Sequence, residues 1–278
     1  MTVLVGVRCS NGVVIGTDSA VTYAPVPDPQ HFTAEVGQGL KIYTIGTDVL
    51  AAITGEVGLG QRFAHVLENS LRNAVTINGR QIQLRALPPV EVMTAISQLA
   101  IGDFSRTRQQ WERPMGLGAL VAIVLEGSPR LIEFENTFFR PTLMGEQDDE
   151  GAFRTLPLAT AGSGQKLADP FLLHAHRVLF GETHFPSTAD GRLLVACTLD
   201  HVIRYNTGGV GGSPHVASLE QDGQNWVIRQ SPDDEVRQQI QDLEAYMRAY
   251  RTAPAGAAAP DLNAALAPEA APQANNAA

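Results

Sequence analysis

The sequence predicts an α+β fold of four layers, in which two β-sheets lie face to face and a pair of helices covers each sheet. Strand-like and helical segments alternate in groups along the chain, in the order strands, two helices, strands, two helices, strands. Several of the strand-like segments are apolar almost without interruption, which is typical of strands that are covered on both faces. Together these two observations favour stacked layers over a single open sheet.

The amino-terminal strands are joined by Asn11-Gly12, a dipeptide that is typical of tight hairpins. A loop that contains Pro25, Pro27 and Pro29 separates this hairpin from the next pair of strands. The predicted strands of this first group span residues 3–7, 13–17, 40–45 and 49–54.

Helical spacing of apolar residues then predicts two long helices, over residues 56–75 and 90–108. The second half of the chain repeats the arrangement, with strands, a helix pair and a final pair of strands. Its predicted strands span residues 117–125, 130–135, 142–145, 156–161, 215–219 and 226–230, and its predicted helices span residues 166–180 and 188–205.

The carboxy-terminal region is predicted to be one helix followed by a tail. Ser231 and Pro232 fit the cap and first position of a helix, and the acidic residues that follow suit its positive dipole end. From Thr252 onward Ala, Pro, Asn and Gln dominate, so we expect no packed structure there. The predicted division is a domain over residues 1–230, a helix over 231–251 and a disordered tail over 252–278.

The composition argues against several classes of function. A net charge of −9 disfavours a nucleic-acid partner, and the absence of any 18-residue apolar stretch disfavours a membrane-spanning protein. Cys9 and Cys197 are the two cysteines, and their positions suggest neither a disulfide framework nor a metal site. We therefore expect a cytoplasmic protein without metal or cofactor.

The amino terminus carries the most informative candidate for chemistry. If Met1 is removed, as is usual before a small residue, Thr2 presents a hydroxyl and an α-amine on the same residue. An α-amine has an ordinary pKa of about 8, so a modest positive field leaves it neutral and able to accept the hydroxyl proton. Nucleophile and base would then be adjacent.

Lys41 and Asp18 are candidates for supplying and orienting that positive field. Lys41 is one of only two lysines, Lys41 and Lys166, and it opens an apolar strand. A structural interpretation is also open for each residue, since a lysine at a strand end can extend its charge into solvent and an aspartate there often forms a turn.

At four segments the sequence resembles the proteasome β-subunit superfamily of N-terminal-nucleophile hydrolases, and within it most resembles the proteasome homologue described from betaproteobacteria. The resemblance covers about residues 2–230 and implies the four-layer αββα sandwich of that class. The matching segments are Thr2-Val3-Leu4-Val5-Gly6-Val7, Gly12-Val13-Val14-Ile15-Gly16-Thr17-Asp18-Ser19, Lys41-Ile42 and Ala51-Ala52-Ile53-Thr54-Gly55.

The resemblance also implies roles for individual residues. Thr2 matches the family nucleophile, Asp18 its acidic partner and, if the proline-containing loop is an insertion, Lys41 its lysine. The backbone N–H of Ala52 is assigned to the oxyanion hole, and Ser163 to the serine beside the amino-terminal amine. For Ser163 a turn between strand and helix is an equally open interpretation.

The activity implied is that of a threonine endopeptidase acting on peptides or unfolded proteins inside a chamber of stacked homo-oligomeric rings, expected to be heptameric. An unfolding ATPase is a possible further partner of such a ring.

Two alternatives remain open. The first is a weakly active or inactive ring-forming structural protein. It is suggested because the family's later Asp and Ser should fall near Tyr205–Gly209, where this sequence has neither. The other is an amidase of the same chemistry that acts on a small amide.

Overall fold

The computed structural model describes residues 2–23, 35–39, 41–77, 79–106, 116–181, 183–206 and 209–252 of the 278-residue chain. The amino-terminal half forms β1 (Val3–Cys9), β2 (Gly12–Asp18), β3 (Ala20–Tyr23), β4 (Glu35–Gln38), β5 (Ile42–Ile45), β6 (Val49–Gly55), α1 (Val57–Arg72), β7 (Val75–Ile77), β8 (Arg80–Ile82) and α2 (Pro89–Ser105). The remainder forms β9 (Leu117–Leu125), β10 (Ser128–Phe134), β11 (Pro141–Met144), β12 (Leu158–Gly162), α3 (Gln165–Phe180), α4 (Thr188–Tyr205), β13 (Pro214–Asp222), β14 (Asn225–Ser231) and α5 (Asp233–Thr252).

Two five-stranded antiparallel sheets form the centre of the molecule. The first sheet has the strand order β12-β1-β2-β13-β14, and the second has the order β11-β10-β9-β6-β5. One apolar cluster fills the space between the sheets and includes Leu4, Ile15, Leu50 and Leu120. A second cluster joins the first sheet to α3 and α4, and a third joins the second sheet to α1 and α2. The predicted four-layer fold is confirmed.

Strands β1 and β2 show why an almost continuous apolar sequence forms an internal strand. Alternate residues of β1 face opposite sides: Val3 and Val5 pack against the helices, whereas Leu4 points between the sheets. Each of these side chains is fully buried. Since burying one such side chain stabilises a fold by roughly 1.5–3 kcal/mol, both faces of β1 contribute to stability.

Helix α5 packs onto the main body of the fold rather than standing apart from it. Val236 and Ile240 are 1% and 6% exposed and belong to the cluster between the first sheet and its helices. Arg204 of α4 also forms an ion pair with Glu244 at 2.7 Å. The predicted helix is therefore present, and its apolar face completes the α3–α4 layer.

Two short hairpins were not predicted from the sequence. Strands β3 and β4 pair with each other, and so do β7 and β8. Each of these strands has only three or four residues, too few to show a periodic pattern. The proline-containing loop and residues 253–278 of the predicted tail lie outside the described residues.

We expect Gly12→Ala to lower the free energy of unfolding by about 3 kcal/mol, because overpacked cores lose stability on that order. A Cβ atom at Gly12 would lie 2.7 Å from the Thr188 side chain and still closer to the Leu219 carbonyl oxygen. Gly58→Ala is the matched control: its Cβ meets nothing within 4 Å, and alanine favours a helix by up to about 1 kcal/mol. Urea unfolding measures both, and equal effects of the two substitutions would contradict the packing at Gly12.

Candidate active site

Thr2 directly precedes β1 and is held by three hydrogen bonds. Its backbone N–H donates to Ser163 Oγ at 3.1 Å, and Ser163 Oγ donates to the Thr2 carbonyl oxygen at 3.3 Å. The N–H of Gly164 donates to the same carbonyl oxygen at 3.2 Å. Thr2 is only 8% exposed, so contacts with the rest of the protein, and few contacts with solvent, fix its position.

Ser163 reaches Thr2 because β12 pairs antiparallel with β1. The register places Val3 opposite Gly162, and Ser163 follows directly at the end of the strand. Gly162 has a φ of 91°, and a Cβ atom there would collide with the Thr2 carbonyl oxygen. Only glycine permits this close approach, so the Gly162-Ser163 pair brings the serine hydroxyl to the start of the chain.

Asp18 ends β2 and is fully buried. Its Oδ1 accepts hydrogen bonds from the Val3 N–H at 3.0 Å and from Lys41 Nζ at 2.8 Å. Its Oδ2 accepts a third from the Gly211 N–H at 3.2 Å. The carboxylate therefore joins the strand that carries Thr2 to Lys41 and to the segment before β13. The interpretation of Asp18 as an ordinary turn residue does not fit this environment.

Lys41 lies just before β5 and is 8% exposed. Burial lowers the pKa of Lys41 below its ordinary value, and the hydrogen bond and charge of Asp18 oppose that shift. Lys41 and Thr2 both line the same pocket. The positive charge of Lys41 is thus directed into the fold beside Thr2, whereas a lysine at a strand end would ordinarily extend into solvent.

The pocket beside Thr2 has a volume of about 190 Å³. The end of β6 and the first turn of α1 form one wall, and the segment around Ala20 and Gly39 forms another. Tyr43 and Ile53 contribute the largest aromatic and aliphatic side chains of its lining. The cavity therefore leaves space directly beside Thr2.

The structure does not bring Ala52 to this pocket. Ala52 is fully buried in the middle of β6, opposite Ile42 of β5 and Leu120 of β9. Since the Ile53 N–H donates to the Lys41 carbonyl oxygen on the β5 side, the Ala52 N–H points to the opposite side, toward β9. The predicted oxyanion role of Ala52 does not fit this position.

Gly55 occupies the place that was expected for Ala52. It ends β6, lines the pocket with Thr2, and alternation directs its N–H to the side on which Gly39 lies, beyond the start of β5. Gly55 has a φ of 111°, and a Cβ atom would collide with the Gly116 carbonyl oxygen. The sequence signal was present, as a glycine between an apolar strand and a helix start, but the alignment was placed three residues too early.

Gly211 was also missed by sequence reasoning. It belongs to the glycine-rich run Gly208-Gly209-Val210-Gly211-Gly212, in which no side chain marks a functional residue, yet the Gly211 N–H donates a hydrogen bond to Asp18. The family's later Asp and Ser were expected in the neighbouring stretch, residues 205–209. Within it, Tyr205 is 66% exposed, and residues 207–208 lie outside the described part of the chain.

Comparisons with known proteins agree with this architecture. Residues 2–137 match the proteasome subunit family. The fold is similar to that of Anbu from Hyphomicrobium sp. strain MC1, with a TM-score of 0.60, and to that of its Gly-1 mutant, with a TM-score of 0.62. Each alignment has 15% identity and covers 91% of this chain and 98% of the other. No protein with curated annotation matches the sequence.

The stacked sheets, their helix layers and an amino-terminal strand that directly follows Thr2 define the fold of the N-terminal-nucleophile hydrolases. The match over residues 2–137, together with this fold, supports the proteasome β-subunit superfamily for this chain. The narrower likeness to the betaproteobacterial homologue stays a prediction. Within the residues that the structure describes, no helix is long and apolar enough to cross a membrane.

We predict that Asp18 and Lys41 are energetically coupled. Asp18→Asn and Lys41→Met should each lower the free energy of unfolding by about 3 kcal/mol, because removing one partner of a buried pair leaves the other uncompensated. The double variant should lose at least about 1 kcal/mol less than the two single losses combined. A urea-unfolding double-mutant cycle measures this, and strictly additive losses would contradict the coupling.

Proposed function

We propose that the chain is a threonine peptidase whose nucleophile is Thr2 after removal of Met1. The observation that carries the proposal is the environment of Thr2: a buried position before β1, a serine hydroxyl at its nitrogen, and the pair of Asp18 on the adjoining strand with Lys41 from the other sheet. The proteasome-type fold is compatible with a peptidase or with a related ring-forming protein. The site geometry favours the peptidase.

In the proposed reaction, the Thr2 hydroxyl oxygen attacks the carbonyl carbon of a peptide bond while its proton passes to the Thr2 α-amine. The tetrahedral intermediate collapses when that proton is delivered to the leaving nitrogen, so the C–N bond breaks and an ester to Thr2 remains. Water then attacks the ester, giving one proton to the amine and restoring the hydroxyl as the acid product leaves.

Lys41 supports this proton transfer by its charge. An ammonium group beside the amine lowers the amine's affinity for protons, so more of it is neutral near pH 7. Asp18 holds Lys41 at 2.8 Å and also binds the Val3 N–H, which fixes the ammonium relative to the start of β1. Ser163 orients the Thr2 nitrogen from the other side.

We assign the oxyanion contact to the Gly55 N–H. A backbone donor directed at the developing oxyanion stabilises a transition state by roughly 3–4 kcal/mol in comparable hydrolases. Gly55 supports this assignment because it lines the pocket with Thr2 at the point where β6 ends. Because this donor is already in place, the protein does not have to reorganise during the reaction.

We further propose that the protein works in the cytoplasm as a homo-oligomeric ring with its sites facing an inner chamber. The family match supports oligomerisation in general, and stacked heptameric rings and an unfoldase partner are narrower proposals. The two free cysteines are compatible with a reducing compartment. Hydrolysis of peptides or unfolded proteins by this mechanism requires no cofactor.

A ring-forming protein with little or no activity is the second candidate. Arg204–Gly209 contains neither an aspartate nor a serine, although the resemblance placed both there. If amine orientation depends on those side chains, the protein retains the ring but not the turnover.

Intact mass after treatment with a peptide epoxyketone tests the peptidase directly, since this reagent needs a hydroxyl and an amine on one terminal residue. We expect a protein that lacks Met1 and gains one adduct per chain. Thr2→Ala should form no adduct while keeping the wild-type assembly size. Retained Met1, or no adduct on the wild-type chain, would favour the inactive ring.

The pH dependence of adduct formation should report on Lys41. The rate should rise as the Thr2 amine loses its proton, and in Lys41→Met this rise should move to higher pH, because the neutral side chain no longer lowers the amine's affinity for protons. Lys41→Arg keeps a positive charge beside the amine, so its rise should stay nearer the wild-type position. A rise at the same pH in all three proteins would contradict the role of the Lys41 charge.

A further inference from the structure

Thr54 brings a second hydroxyl to the pocket of Thr2 from the opposite sheet. It lies in β6, where Leu50 and Ala52 point between the two sheets, so alternation directs Thr54 into the same space. Thr2 precedes β1, where Leu4 points between the sheets, so the Thr2 side chain faces the same space from the other side. Both threonines line the same pocket.

The two ends of the Thr54 side chain have different neighbours. Its methyl carbon Cγ2 lies 3.2 Å from the position that a Cβ of Gly118 would take, on the adjacent strand β9. Its hydroxyl oxygen Oγ1 lies 3.1 Å from the corresponding position at Gly162, which is also next to the Thr2 carbonyl oxygen. The rotamer therefore turns the methyl toward β9 and the hydroxyl toward the start of β1.

Both glycines are needed for this arrangement. A side chain at Gly162 would fill the gap between Thr54 Oγ1 and Thr2, and a side chain at Gly118 would displace the Thr54 methyl. Thr54 is only 9% exposed, so its hydroxyl has little access to solvent. A hydroxyl can donate one hydrogen bond and accept others, which suits it to both partners of a proton transfer.

We propose that Thr54 is a positioning residue for Thr2, holding the terminal hydroxyl and amine in the geometry in which the proton passes between them. The inference rests on the proposed peptidase function. It also explains how the amine is oriented although Arg204–Gly209 contains no aspartate or serine. In this arrangement Ser163 acts from the first sheet and Thr54 from the second.

The test compares Thr54→Val, which keeps the shape and loses the hydroxyl, with Thr54→Ser, which keeps the hydroxyl. Thr198→Val is the matched control, because Thr198 is fully buried in α4 and its hydroxyl bonds to the Leu194 carbonyl oxygen within that helix. Each full-length protein is treated with a tripeptide epoxyketone, and the second-order rate of adduct formation is followed by intact mass from pH 6 to pH 10.

We expect Thr54→Val to react about fivefold more slowly, the loss that one neutral hydrogen bond of average strength predicts, and to show a displaced rising limb of the pH profile. Thr54→Ser should stay within about threefold of wild type, since the donor remains. Thr198→Val should match the wild-type rate and profile.

The outcomes separate this inference from the proposed function. If wild type reacts and Thr54→Val matches it in rate and pH profile, the role of Thr54 is overturned and the peptidase stands. If Thr54→Ser is as slow as Thr54→Val, the methyl and not the hydroxyl is required, and the inference also fails. If the wild-type chain forms no adduct at any pH, the proposed function fails and this inference fails with it.

Discussion

The buried carboxylate of Asp18 is the constraint on which the surrounding structure depends. A charged group that is removed from water costs several kcal/mol unless other groups replace its hydration. Here three donors do so, and they come from distant parts of the chain: the Val3 N–H, Lys41 Nζ and the Gly211 N–H. Any shift of β1, of the segment before β5, or of the segment before β13 would leave part of the carboxylate unsatisfied.

The same end of the sandwich is shaped by glycines at points of close backbone approach. Gly162 lies against the Thr2 carbonyl oxygen, and Gly55 lies against the Gly116 carbonyl oxygen. Each has a positive φ that other residues adopt only with strain. The first contact brings the end of β12 to the start of β1, and the second brings the end of β6 to the start of β9, so backbone packing as well as polar side chains shapes this end of the sandwich.

Much of this fold could be predicted from the sequence because its central strands are apolar on both faces and its helices are long. The helix at Thr188–Tyr205 agrees with the predicted bounds, whereas the three- and four-residue hairpin strands gave no signal. Thr2, Asp18, Lys41 and Ser163 were predicted, and the structure brings them together. The oxyanion donor was assigned to Ala52 although Gly55 carried a sequence signal, and Gly211 was missed because a backbone N–H acts independently of side-chain identity and leaves little trace in a sequence.

The hydrogen bond between Thr2 and Ser163 also has a consequence for the order in which synthesis, processing and folding of the amino terminus take place. The two residues are 161 positions apart, so β12 reaches its place beside β1 only after most of the domain has been synthesised. At about 5–20 residues per second, the amino terminus stays accessible for on the order of ten to thirty seconds. A methionine aminopeptidase has that interval in which to act, because after β12 pairs with β1 only 8% of Thr2 is exposed. Removal of Met1 to expose the proposed nucleophile must therefore precede the pairing of β12 with β1.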